Sequence, residues 1–358
     1  MTKTTALFTL HRQAKARFVE FAGWEMPLQF SGIIEEHKAV RESVGIFDIS
    51  HMGEIFVRGS RAEEWLDEML TNRVANLTPG RAQYSMMLNE GGGVLDDLYV
   101  YRLSEQEFLL VVNASCVRDD FVWLSENGWE GVIVEDASAR LSAVAVQGPS
   151  APGLFEDLSG RELPAARNRV ERVFFGGSEM FVCTTGYTGE AGFEVICPNE
   201  VVGDLWVKLV TSGATPCGLG ARDILRLEMG FALNGSDLNP SVTPLEAGLS
   251  RFVVLGKHHF IGAEVIRRQA REGTTRRLAG YVATADMPPI RPHYAILREG
   301  LRVGETTSGG VSPCLGKSIG MGYLPVSIAD EGQILEVDVR GRAYPVQVVS
   351  PPFLKLKK

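Results

Sequence analysis

The chain has 358 residues, 45% of them hydrophobic and 22% charged, a composition ordinary for a globular protein and a length sufficient for two or three domains. Its formal net charge of −8 speaks against a general nucleic-acid binder, whose electrostatic footprint is basic. The N-terminal MTKTTALFTLHRQAK lacks an apolar stretch of signal-peptide length, and no apolar run is long enough for a membrane span, so a cytoplasmic protein with no membrane partner is expected.

In chain order, strand-like and helix-like segments alternate through the first 250 residues. EIFV (54–57) reads as a strand. Ser60-Arg61-Ala62-Glu63 has the form of a capping box and precedes Trp65, Leu66, Met69 and Leu70 at helical spacing. QYSMML (83–88), VLDDLYVYRL (94–103) and EFLLVV (107–112) read as strands, and a helix is predicted over 115–127 with Gly128 as its stop. GVIVE (131–135), SAVAVQ (142–147), MFVCTT (180–185) and FEVIC (193–197) follow as strands, and a helix begins at Asn199. Because neighbouring strands often lack an intervening helix, α+β with mostly antiparallel pairing is favoured over a parallel doubly wound sheet. RRQAREGTTRR (267–277) reads as a helix end and linker, and beyond it about six short strands broken by Gly and Pro fit a small barrel or sandwich.

GGGVLDDLYVYRL (91–103) raises the sharpest question, since two acids head an apolar strand. The glycines lead into a strand rather than a helix, which argues against a phosphate loop and for a turn or a close backbone approach. Alternation puts Asp97 on the face of Leu95, Tyr99 and Tyr101, and Asp96 on that of Val94, Leu98 and Val100. Both faces carry apolar residues, so parity does not choose between the acids. A hairpin around Ser104-Glu105-Gln106 pairs Leu103 with Glu107 and sets Asp97 opposite Asn113, an acid and an amide at one end of an apolar ribbon. Two carboxylates that simply end a strand at the surface remain an open alternative.

CTTGYTGEAGFEV (183–195) crowds glycines around Tyr187 and places Glu194 in a strand, either inward or as an outward residue of a half-solvated sheet. GLGARDILRLEMG (218–230) reads as a helix entered through Gly220, with Arg222 and Arg226 one turn apart. Those guanidinium groups suit a carboxylate clamp, or equally bridges to Asp223, Glu228 or Glu246. Asp48 and His51 lie close in FDISHMGE, where a packed histidine is favoured over a catalytic base. The five scattered cysteines have no C-x-x-C pair and the six histidines no ligand spacing, so reduced thiols and no metal are expected.

FAGWEMPLQF (21–30), VRESVGIFDISHMGEI (40–55), GGGVLDDLYVYR, VVNAS (111–115), TTGYTGEAGFEV, GLGARDILRLEMG and GETTSGGVSPCLGKSIGMGYL (304–324), in this order and spanning nearly the whole chain, resemble the T proteins of the glycine cleavage system. The resemblance implies an aminomethyltransferase that takes an aminomethyl group from the lipoyl arm of the lipoylated H protein, forms 5,10-methylenetetrahydrofolate from tetrahydrofolate and releases ammonia. It also implies three lobes: a discontinuous α+β folate-binding lobe (1–50 and 140–265), a second, ferredoxin-like α+β lobe (51–139), and a C-terminal β-barrel (275–358). By motif, Asp97 matches the family's critical aspartate, with a positioning and electrostatic role at the reacting folate nitrogens. Asn113 matches a residue at the pterin end, Glu194 the acid that reads the amino-pyrimidine edge, and Arg222 a folate-binding arginine. Met52 and Tyr187 match channel walls, though methionine also fills cores. The ending PPFLKLKK departs from the family pattern, leaving Lys355, Lys357 or Lys358 as substitutes for the usual contact to the folate tail, or that contact missing. The competing functions are a folate-dependent demethylase acting on a small methylated donor and a non-catalytic folate-binding protein; the latter's K-G-C-Y-x-G-Q-E run is replaced here by TTGYTGEAG.

Overall fold

The computed structural model describes residues 2–175 and 177–356. The architecture is α+β with mostly antiparallel sheets and a closed C-terminal barrel, as the segment pattern required. By its contacts the chain divides into two units, Met1–Ser85 with Asp97–Arg222, and Met86–Asp96 with Asp223–Lys358.

A six-stranded sheet of the first unit runs in the order Val170–Phe175, Ser178–Cys183, Gly192–Pro198, Leu141–Gln147, Gly45–Asp48, Thr215–Cys217. Its pairings are antiparallel except the last, where Thr215–Cys217 lies parallel to Gly45–Asp48. Ile46, Val144, Val146, Val182, Phe193 and Val195 form a core with side chains of the helices Ala151–Ser159 and Asn199–Thr211, including Phe155, Leu205 and Trp206. Burial of the whole run from Ser142 to Gln147 explains its nearly unbroken apolar character.

A five-stranded sheet has the order Arg81–Leu88, Val94–Ser104, Glu107–Val112, Gly53–Arg58, Ile133–Asp136. The predicted hairpin is present, with Tyr99 opposite Val111 and Tyr101 opposite Leu109. Its turn is tighter than expected: Ser104, not Leu103, pairs with Glu107, and a bulge at Leu103 restores the register deeper in the strand. The predicted helix after Ser60 spans Ala62–Met69, but its N-cap is Arg61 and no side chain caps it, so the capping box does not form.

In the second unit the barrel closes in the order Arg276–Ala283, Lys317–Pro325, Leu301–Ser312, Ala295–Arg298, Ile334–Val339, Arg342–Val349. Tyr281, Ile296, Leu324, Val337 and Val346 fill its core. The glycine run is a turn, with the Gly92 amide donating to Asn89 O and the Asn89 amide to Gly93 O. A Cβ at Gly93 would lie 1.8 Å from the Pro240 carbonyl oxygen, so the close approach is to another chain segment. Three arginines of the 267–277 run are already committed. Arg267 donates to the carbonyls of Leu255, Lys257 and His258; Arg276 bridges Glu246, and Arg277 bridges Asp330. No helix among the described residues is long and apolar enough to cross a membrane.

Candidate active site

Strand alternation sorts the two acids. Asp96, on the buried face with Val94, Leu98 and Val100, is fully enclosed and accepts a hydrogen bond from Asn234 Nδ2 at 2.9 Å. It is a structural carboxylate, not a solvated one. Asp97, on the half-buried face, accepts from the Tyr84 hydroxyl at Oδ2 (2.8 Å) and from Asn113 Nδ2 at Oδ1 (3.0 Å). The same amide reaches the Asp97 carbonyl at 2.9 Å, so Asn113 is fixed by two contacts and in turn fixes the carboxylate. The sequence reading anticipated Asn113 but not Tyr84, which comes from a different strand.

Tyrosine rings continue along this face. Tyr84 meets Tyr99 edge-on at 5.9 Å between centroids, and Tyr99 stacks with Tyr101 at the same separation. From Tyr101 a polar chain runs inward: its hydroxyl lies 2.9 Å from Thr185 Oγ1, which donates to Glu194 Oε2 at 2.5 Å. With Thr185 donating to Glu194, Tyr101 is left to donate to Thr185. Burial drives the Glu194 pKa above the usual carboxylate range, opposed by the Thr185 hydrogen bond and the nearby Arg222 charge. Tyr99 and Thr185 also line a cavity of about 280 Å³ that includes Arg167, Asn168 and Glu190.

Arg222 sits in the helix Leu219–Glu228 with its guanidinium 4.9 Å from the Tyr187 ring centre. Its Nη1 is buried without a hydrogen-bond partner among the described residues. Arg226, the other half of the supposed clamp, is spent on structure: it bridges Asp223 and Asp237 and donates to Ser308 and to Phe231 O. Glu194, Arg222 and Tyr187 thus form one group and Asp97 with Asn113 another, with the tyrosines between them. Met52 is half-buried in a turn, and the pairing of Gly53 with Val112 puts it at the same end of two neighbouring strands as Asn113.

His51 is buried, and burial together with the Arg222 charge pulls its pKa down to about 4 against the opposing pull of Asp48. Asp48 itself is bonded elsewhere, to Thr5, to His11 Nε2 at 2.9 Å and to the Ser50 amide. The pair close in sequence is therefore no acid–base couple. Lys355 is exposed, and Lys357 and Lys358 lie outside the described residues. No disulfide joins the described cysteines, and Cys183, Cys197 and Cys217 are buried.

Fold and site together define a class. Residues 7–257 match the GCVT N-terminal domain and residues 276–355 the glycine cleavage T-protein C-terminal barrel domain. The aminomethyltransferase of Geobacillus kaustophilus (strain HTA426) is 43% identical over 365 residues, covering 100% of both chains. That of Desulfitobacterium hafniense (strain DSM 10664 / DCB-2) is 40% identical, over 99% of this chain and 98% of its own. The crystal structure of glycine cleavage system aminomethyltransferase T from Bartonella henselae superposes with a TM-score of 0.95 at 35% identity, covering 100% of this chain and 99% of that one. The chain belongs to the glycine cleavage T-protein family, a family of aminomethyltransferases that use tetrahydrofolate.

Proposed function

We propose that the chain transfers the aminomethyl group carried on the lipoyl arm of an H protein to tetrahydrofolate, with release of ammonia, and that Asp97 is the reaction-centre acid. The observation that carries this reading is the carboxylate itself, held at one oxygen by Tyr84 and at the other by Asn113 on a tyrosine-lined strand face, in a chain of this family. Tetrahydrofolate supplies the accepting nitrogens; Asp97 orients them and stabilises positive charge that develops beside it.

The remaining polar groups suit a folate head. Glu194 is an acceptor whose charged form two ligand N–H donors would favour, offsetting its burial. The buried Arg222 Nη1 is a donor that the fold leaves unsatisfied, a gap a ligand oxygen or ring nitrogen fills. Tyr187, beneath that guanidinium, and Met52 serve as walls. Each sheet draws its strands from a single lobe of the proposed three, 1–50 with 140–265, 51–139, or 275–358, which supports that division. Cysteines that form no disulfide suit a reducing cytoplasm.

The test is direct. The full chain, given tetrahydrofolate and aminomethyl-loaded H protein, releases ammonia at a rate proportional to enzyme. No ammonia with that pair, alongside turnover of a small methylated amine, would replace aminomethyl transfer by demethylation.

A further inference from the structure

The strand Gly192–Pro198 uses both faces. Glu194 turns toward Thr185, whereas Phe193 and Val195 point the other way into the core beside helices Ala151–Ser159 and Asn199–Thr211. On that second side the first unit contains a cavity of about 360 Å³, within the size range of small-molecule sites. Its wall is largely apolar, with Phe155, Phe175, Met180, Phe193 and Leu205 among its side chains. Phe174, also on the cavity wall, is 75% exposed.

The charged residues that line this cavity are all cations: Arg161, Arg172 and Lys208. They are not equivalent. Arg172 is bound to Glu107 and Glu179 and lies over the Phe181 ring. Arg161 approaches Glu171 only to 3.8 Å, and more than half of its side chain is exposed. Lys208 has no carboxylate partner among the described residues, and its ammonium stands 5.2 Å from the Phe175 ring centre. An aliphatic or aromatic body would bury its surface against the wall, while one anionic head would meet Lys208 and Arg161 without crossing an acid. A peptide backbone fits poorly, because its amides would be stranded against apolar side chains. A polyphosphate fits poorly for the same reason.

We propose that this cavity binds a small amphipathic carboxylate, with its apolar chain inside and its head at Lys208 and Arg161. The site lies on the opposite face of the strand from Glu194, so it does not depend on the folate reading.

Calorimetric titration of the full chain with octanoate tests this, with 1-octanol as the uncharged probe of the same chain length. Octanoate should bind one-to-one, with octanol weaker by about threefold to tenfold, the scale of a partly exposed charge pair. Lys208→Glu changes a surface residue; it should weaken octanoate by about tenfold at low salt, leave octanol unchanged, and alter the salt dependence of octanoate binding, with Arg161 remaining at the head. Leu158→Trp should fill the cavity and remove binding of both probes. Saturating tetrahydrofolate should leave the octanoate titration unaltered. No binding by about 5 mM, a scale far weaker than useful affinity, would overturn the proposal. So would octanoate affinity unmoved by Lys208→Glu, octanol bound as tightly as octanoate, or displacement of octanoate by tetrahydrofolate.

Discussion

Asp97 receives a different donor at each carboxylate oxygen, Tyr84 at one and Asn113 at the other, and both are neutral groups that orient it without neutralising it. Asp97→Asn keeps the shape and both contacts, its oxygen accepting from Asn113 and its amide donating to the Tyr84 hydroxyl, but removes the charge. We expect the variant to fold and bind folate yet lose tenfold or more in turnover, at least ~1.4 kcal/mol of transition-state stabilisation. Steady-state ammonia release beside a folate titration checks it; unchanged turnover removes Asp97 from the reaction centre. Glu194 gives a second expectation. Its raised pKa leaves part of the free protein protonated above the usual carboxylate range, whereas ligand N–H donors favour the ionised form. Folate affinity should therefore rise with pH through that range and a proton should leave on binding, visible as a dependence of the titration heat on buffer ionisation. Glu194→Gln should abolish the proton release; a heat that depends on buffer equally in both proteins would contradict this. Of these residues, Asp97 and Asn113 were legible because hairpin arithmetic needs only two neighbouring strands. Tyr101 and Thr185 were not, because they meet across 84 residues, a pairing that periodicity does not encode. Tyr84 is only 13 residues from Asp97, on the neighbouring strand, but the turn between the two strands did not by itself fix their register.

At the level of elements, the strands stood out wherever one run of β-formers was bounded by turn residues, and the Glu107–Val112 strand ends where that pattern ends. Local signals failed where tertiary packing overrode them. Ser60 has the right chemistry for a capping box, but the helix begins one residue past the position such a cap would serve, and Arg61 occupies the N-cap. The hairpin end illustrates the same limit: a bulge at Leu103 absorbs the shorter turn, so the register survives although the loop does not. The glycine run was open between ligand and chain segment, a question of what lies opposite. Pro240 lies there, and this makes Gly93 a packing residue. Gly93→Ala would drive a methyl group into a backbone oxygen that cannot rotate away. We expect a loss of about 2–3 kcal/mol, at the upper end of overpacking costs, seen as a lowered urea midpoint. Gly153→Ala, in the helix Ala151–Ser159 with open space at its Cβ, should be neutral or stabilise by up to ~1 kcal/mol. Equal midpoints for the two variants would show that the turn yields.

For the molecule as a whole, buried ionisable groups set how stability depends on pH, and they do not all pull the same way. Glu54 is fully enclosed, with neither carboxylate oxygen hydrogen-bonded among the described residues. Burial, with Asp136 nearby, raises its pKa well above the ordinary 4.5, so the folded chain keeps a proton that the unfolded chain has released. Stability from this group is complete below 4.5 and is lost as pH rises toward the folded value. His51 acts in the opposite sense: its pKa falls from 6.5 to about 4, so its contribution is complete above 6.5 and is lost on acidification toward 4. The two oppose each other between 4.5 and 6.5. Above that window His51 no longer changes, and the strongly raised Glu54 governs. Unfolding free energy should therefore decline from pH 6.5 to 8.5, this group adding a slope of up to ~1.4 kcal/mol per pH unit where the folded form stays protonated. Glu54→Gln leaves a buried amide, so its absolute stability is a poor readout; its slope is the informative quantity, and it should be shallower than in the parent. Urea unfolding at fixed ionic strength across that interval measures both slopes. Parallel lines would mean that Glu54 ionises within the folded protein at neutral pH, and that its enclosure does not hold the proton.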